Sequence, residues 1–254
     1  MAPPEVVILL IGPTGSGKTS FIKRVAGLSD KDMKIQRESL HPGKLPIQEH
    51  SCGLLTGTEA TAGCKTYRFV HRGTNFALID TPGLRDVAGG NIPVLANIAK
   101  LLKWKAPDRP WVAGAIYFHA ITCKRFAGPV RFNFDLFKAM CGETFYSRIA
   151  CVTTLWGDVG PERLEQFDGF SKELRAEYFN ITNSRNGGIV FDLKDSDPVA
   201  YDRVLDHFAQ FAGNNIRWLR FEREVVHDGV KEIKRTAAGK LLQKRANQGI
   251  CTIT

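Results

Sequence analysis

The 254-residue chain has no run of apolar residues approaching the roughly 18 that a membrane-spanning helix requires. Its first apolar run, Val6 to Ile11, is too short for a secretory signal, and no basic residue precedes it. Residue 2 is alanine, which excludes N-myristoylation. None of the six cysteines (52, 64, 123, 141, 151 and 251) forms a CxxC pair, and no histidine stands at metal-ligand spacing from them. A disulfide framework and a zinc site are both disfavoured, and reduced thiols in a cytoplasmic protein are expected. Low-complexity tracts and internal repeats are absent. The remaining composition, 43% hydrophobic and 24% charged, belongs to an ordinary globular chain with a sizeable core.

Acidic charge is in short supply, and the net charge is +9. The excess is uneven. From Asn214 onward there are nine Lys or Arg against four acids, an excess of five positive charges. Such a segment suits an acidic partner surface, anionic lipid being one candidate, although a solvated helix face serves equally well. No feature calls for specific nucleic acid binding.

Short β-rich runs alternate with helical patterns, which predicts an α/β fold around a mostly parallel sheet. Strands are expected at Val6 to Ile11, Lys65 to His71, Thr74 to Asp80, Val112 to Phe118, Arg148 to Thr153 and Ile189 to Phe191. The second and third form an antiparallel edge hairpin turned at Arg72–Gly73. Helices are expected at 18 to 26, 92 to 104, 130 to 140, 162 to 178 and 198 to 211. Residues 29 to 63 form a long loop of the kind that is often functional. Gly213 marks a boundary between a domain spanning 5–213 and a basic segment, 214–254. In that segment Ile216, Leu219, Val226, Val230, Ile233, Ala237 and Leu241 predict one amphipathic helix, weakened by Gly229 and Gly239.

The sharpest signal is Gly12-Pro13-Thr14-Gly15-Ser16-Gly17-Lys18-Thr19, which fits GxxxxGK[ST] between a strand and a helix. Glycines let consecutive backbone N–H groups curve around a phosphate, and the following helix aims its positive end at the same oxygens. Lys18 would neutralise β- and γ-phosphates. Thr19 would ligate Mg²⁺ through its hydroxyl, with Ser20 beside it. A second element, Asp80-Thr81-Pro82-Gly83, follows the apolar strand. Asp80 can hold Mg²⁺ through a water, and Gly83 can lend its N–H to a γ-phosphate. A capped Pro–Gly turn would read the same in isolation. Pairing with the first motif favours nucleotide.

A phosphate-binding loop, long loop, hairpin and DTPG together resemble the translation-factor class of P-loop GTPases, and more closely the immune-associated nucleotide-binding and septin-like group. The resemblance implies a three-layer P-loop NTPase sandwich binding GTP or GDP with Mg²⁺. It makes Thr61, three residues before Cys64, the loop threonine that completes the metal shell, with Thr56 and Thr58 as alternatives. The stretches Gly114 to His119, Arg125-Phe126, Phe137 to Gly142 and Val152 to Trp156 are similar to a branch of fungal G-domain proteins. The likeness covers about residues 5 to 212.

Two departures from the family stand out. Its guanine-reading motif ends in Asp, where this chain has Thr153-Thr154-Leu155-Trp156, with Asp158 two residues late. Either Asp158 reaches the base through a shifted loop, or Trp156 stacks on the base and specificity relaxes, or Trp156 is a core aromatic. Leu193 to Ser196 stand at the family's fifth motif. Secondly, Leu84 follows Gly83 where many small GTPases place a water-orienting Gln. Slow hydrolysis is expected, aided in trans by dimerisation across the nucleotide face, with Arg85 and Arg125 as candidate charges; His119 reads as a strand-end polar residue rather than a catalyst. The end Cys251-Thr252-Ile253-Thr254 has a CaaX outline that would add peripheral membrane attachment. The expected function is a slow GTPase switch. A non-hydrolysing assembly module and an ATPase of relaxed specificity are the alternatives.

Overall fold

A computed structural model of the chain describes residues 5–29, 63–84, 90–105, 111–123, 128–178, 188–213 and 217–250. Thr56, Thr58, Thr61, Arg85, Arg125, Phe126 and Cys251 lie outside the described residues.

Six strands form one sheet: β1 (Glu5–Ile11), β2 (Lys65–His71), β3 (Thr74–Asp80), β4 (Gly114–Ala120), β5 (Ile149–Thr154) and β6 (Ile189–Asp192). Their order across the sheet is β2-β3-β1-β4-β5-β6. Only the β2–β3 hairpin at the edge is antiparallel. Six of the seven β1 residues are buried, as expected of a central parallel strand covered on both faces. Its side chains alternate between two cores. Val7, Leu9 and Ile11 share a core with α2 (Ile92–Lys105), α3 (Pro129–Cys141) and α4 (Leu164–Tyr178) through Leu95, Ile98, Phe134, Phe137, Phe167 and Leu174. Val6, Ile8 and Leu10 meet α1 (Lys18–Ala26) and α5 (Ala200–Ala209) through Phe21, Ile22, Val204 and Phe208. Each such fully buried side chain contributes roughly 1.5–3 kcal/mol over the exposed state. The result is a helix–sheet–helix sandwich.

β4 begins two residues later than the apolar pattern predicts, because its ladder to β1 opens at Ile8↔Gly114. Ala113 still donates its N–H to Val7 O at 2.8 Å just outside it.

The segment after Gly213 differs from the single amphipathic helix expected from Ile216. A three-residue helix, Arg220–Glu222, runs into a π turn, Arg223–His227, and a 3-10 turn, Ile233–Arg235. Only then does α6 (Ala237–Ile250) begin. Tertiary bonds override the periodicity. Glu222 is completely buried, and its Oε1 accepts the N–H groups of Trp111 (2.7 Å) and Val112 (3.2 Å). The Glu224 carboxylate accepts the Ala237 N–H at 3.1 Å, where an acid complements a helix N-terminus. Leu219, Phe221, Val225, Ala238 and Leu242 join the core cluster of Leu102 and Phe134. The apolar side of α6 is therefore spent on α3. Among the described residues no helix is long and apolar enough to cross a membrane.

Candidate functional site

The sheet order reverses at β1: β3 lies on one side and β4 on the other. The crevice beyond the carboxyl ends of such strands is where open α/β sheets bind ligands. The sequence-predicted site residues among the described residues lie at that end, on its loops, on the last residues of β3 and β5 and on the first turn of α1.

The loop from Gly12 leads into α1, whose N-cap Gly17 has φ 83° and makes no side-chain cap. No acidic residue occupies the first turn. The first N–H groups of α1 and its positive end are thus uncompensated, as an anion site requires. Lys18 folds back over the loop and donates from Nζ to Gly12 O and Pro13 O, both at 2.9 Å. Burial lowers its ammonium to about 8, against the opposing pull of Asp80. An incoming anion would therefore meet a cation already short of solvent. Ser16 is buried under the loop, while Thr14, Gly15 and Ser20 are exposed.

On the β3 side, the register Leu10↔Asp80 carries Asp80 to the level of the loop. Thr19 Oγ1 donates to Asp80 Oδ2 at 2.9 Å. Two hard oxygens at this separation fit Mg²⁺, which keeps most of its shell from phosphate and water and needs few protein ligands. Among the described residues no group of three His, Cys, Asp or Glu could hold a metal ion. Thr81 ties the turn down by donating to Leu10 O at 2.6 Å. Gly83 lies directly on Thr14: a Cβ built there would stand 2.6 Å from Thr14 Cα and N. Leu84 is 2% exposed and donates its N–H to Gly12 O at 3.0 Å, forming a parallel bridge with Pro13. The family resemblance marked Leu84 only as a residue unable to orient water. Its structural task, fastening the DTPG turn to the phosphate loop, carries no local sequence signal.

On the opposite side, Thr154 Oγ1 donates to Ser16 O at 2.9 Å, and its side chain stands 3.2 Å from where a Cβ on Gly17 would be. The end of β5 thus braces the phosphate loop. Leu155 is exposed in a left-handed conformation (φ 60°). Trp156 turns inward and is 4% exposed. Its Nε1 donates to Thr153 Oγ1 at 2.9 Å, and the Lys194 ammonium covers the ring at 4.7 Å. Of the readings open for Trp156, the stacking platform is corrected: the indole is a core side chain, and its polar tip is satisfied internally. Asp158 is exposed at the end of the 3-10 turn Trp156–Asp158. Thr153 also donates to Asp192 Oδ1 at 2.7 Å, which Ser171 does as well.

His119 is 3% exposed on β4, and burial pushes its imidazole down to about 4. It is neutral at physiological pH, which removes it as a charge-stabilising cation. Burial holds the Cys141 and Cys151 thiols well above their usual range, so neither is a ready nucleophile.

No protein-family model matches the chain. A 40-residue stretch is 45% identical to Pleiotropic drug resistance protein 2 of Nicotiana plumbaginifolia, spanning 16% of this chain and 3% of that protein. Solved structures align over most of the chain. Toc33 from Arabidopsis thaliana in complex with GDP and Mg²⁺ is 13% identical over 84% of this chain and 86% of that one, with a TM-score of 0.55. A second chloroplast translocon structure, from work on dimerisation and the GTPase activity of Toc33 and Toc159, is 14% identical over 85% and 86%, with a TM-score of 0.53. The cytosolic domain of the T. maritima iron transporter FeoB in its GDP form is 13% identical over 86% and 67%, with a TM-score of 0.50. At such identities the likeness is one of architecture, and in architecture the chain has the α/β fold of P-loop GTPases.

Proposed function

We propose that the chain binds a guanine nucleoside triphosphate with Mg²⁺ and acts as a slow GTPase switch. One observation carries this reading: the cradle in which Lys18 caps the loop carbonyls while Thr19 and Asp80 meet beside it. In this reading Gly12 to Gly17 and the first turn of α1 hold phosphates with backbone N–H groups, and Lys18 neutralises them. Thr19 and Asp80 hold Mg²⁺, which would supply charge stabilisation at the bridging phosphate oxygens. Gly83 presents its N–H to the terminal phosphate, and Thr61 completes the metal shell in the triphosphate state. Losing that phosphate frees both loops, an order–disorder switch. The likeness to the immune-associated and septin-like group, and pairing of two copies across the nucleotide face, belong to the same reading. So does a peripheral site of action at an anionic surface, with the basic residues after Gly213 as its contact and Cys251 as an anchor point. Lys18→Ala should weaken GTP binding by at least about tenfold, read by equilibrium titration with a fluorescent GTP analogue. Unchanged affinity overturns the reading.

The burial of Leu84 favours a second reading, an assembly module with negligible turnover, since the side chain directly after Gly83 is turned into the core and orients no water. Single-turnover hydrolysis across protein concentrations separates them. A rate that rises with concentration supports the paired GTPase, and a flat rate near that of free GTP supports the module.

A further inference from the structure

Thr19 and Asp80 set the direction in which a nucleotide lies. The metal and terminal phosphate belong on the β3 side of the loop, beside Gly83. The nucleoside must therefore leave toward the other side, past the contact of Thr154 with Gly17, and over the carboxyl ends of β5 and β6. Five carboxylates stand around those ends, of which Asp197 is committed to Arg203 and the Val199 N–H. Asp192 is committed, accepting from Thr153 and Ser171 and from Arg175 at 2.8 Å. Asp168 is committed to Lys194 at 2.5 Å. Asp158 and Asp195 are exposed, and among the described residues neither carboxylate has a hydrogen-bond partner.

The two differ in placement. Asp158 shares a 3-10 turn with Trp156. At three residues per turn its side chain leaves on a different side of the turn from the position of Trp156. Asp195 comes from the loop after β6 and lies over that turn. A Cβ on Gly157 would collide with Asp195 Oδ2, so the missing side chain is what admits the carboxylate. The same carboxylate is within electrostatic reach of Tyr201 on α5. Burial and then the charge of Asp195 push the Tyr201 hydroxyl up, and Tyr201 stacks on Phe21 of α1 at 5.8 Å. Asp195 thus lies over the turn that ends β5.

We propose that Asp195 is the base-reading carboxylate of this chain, supplied by the β6 loop because Trp156 has withdrawn into the core from the β5 loop. The inference rests on the nucleotide-binding reading above and names its specificity residue. Guanine offers two adjacent donors, N1–H and the 2-amino group, which one carboxylate accepts together. Adenine offers no such pair on the corresponding edge; its N1 is an acceptor and would face the carboxylate unfavourably. Leaving such a polar pair unmatched costs more than losing an apolar contact.

The test is equilibrium binding of fluorescent GTP, ATP and xanthosine triphosphate to the full chain and to Asp195→Asn. The parent should prefer GTP over ATP by at least about tenfold. Asn keeps an acceptor for N1–H but turns an amide N–H₂ toward position 2. It clashes with the 2-amino group of guanine and matches the 2-oxo group of xanthine. Asp195→Asn should therefore lose GTP by about tenfold or more and gain xanthosine triphosphate by a similar factor, a gain that misfolding cannot produce. An unchanged preference in Asp195→Asn overturns the assignment, as does the same conversion appearing in Asp158→Asn instead. A parent that binds GTP and ATP alike overturns it too, while leaving the phosphate site intact. A parent that binds no nucleotide removes both proposals.

Discussion

Leu84 donates its backbone N–H to the carbonyl of Gly12 across 3.0 Å, a main-chain bond that ties the DTPG turn to the phosphate loop. The side chain behind that bond is 2% exposed and packs in the core. The residue that a water-orienting Gln would occupy in many small GTPases is here an anchor.

Leu84→Gln should therefore not accelerate hydrolysis. It should instead destabilise the fold by about 2–4 kcal/mol, through the lost apolar packing and the burial of an amide. Urea denaturation gives the loss, and single-turnover GTP hydrolysis gives the rate. A faster enzyme of undiminished stability would contradict this account of Leu84.

Gly83→Ala tests the close approach to Thr14. The added methyl would stand 2.6 Å from Thr14 Cα and N, so backbone must move. The expected result is a lowered thermal midpoint and at least about tenfold weaker GTP binding. Because backbone atoms are among the nearest, Thr14→Ala in the same chain should not restore either quantity. Full rescue would mean that the conflict was confined to the Thr14 side chain.

Lys18 gives nucleotide binding a pH dependence. Its free-state pKa lies near 8, lowered by burial, and bound phosphate favours the charged form. Below pH 8 Lys18 is already protonated and affinity should be flat in this respect. Above pH 8 binding must take up a proton, and affinity should fall by up to about tenfold per pH unit until the bound-state pKa is passed. Calorimetric titrations in buffers of different ionisation enthalpy at pH 8.5 should report proton uptake. Proton release would have the wrong sign.

Glu222 acts on stability. Burial raises its carboxyl to about 8 from 4.5, against the lowering effect of the Trp111, Val112 and Leu219 N–H groups. The folded state then holds a proton that the unfolded chain has lost between those two values. This contribution to stability is complete below pH 4.5, declines as pH rises and is gone above about 8. Glu222→Gln should flatten that slope, making the variant relatively more stable at pH 9 than at pH 5. Parallel urea curves at the two values measure it.

Much of the fold was legible because local pattern and global packing agree. The hairpin at Lys65–His71 and Thr74–Asp80 has the bounds its alternation and Arg72–Gly73 turn predict. The phosphate loop is legible because its chemistry needs consecutive residues. The base side is not, since it is assembled from loops nearly forty residues apart by sequence number, Gly157 and Asp195. Whether Trp156 faced inward depended in part on Lys194, a partner that no local window contains. The segment after Gly213 misled the periodicity for the same reason. Its helical spacing is real, but Glu222 and Glu224 spend their carboxylates on distant amides, and the chain bends to reach them.

That last arrangement has a practical bearing on how the protein is handled. Trimming the chain at Gly213 to obtain a minimal nucleotide-binding fragment would uncover a greasy trough along Leu102 and Phe134, where Leu219, Phe221 and Leu242 now sit. It would also strand the amides of Trp111 and Val112 at the doorway to β4. Such a fragment should clump on purification, and a disappointing assay with it would say nothing about the intact molecule.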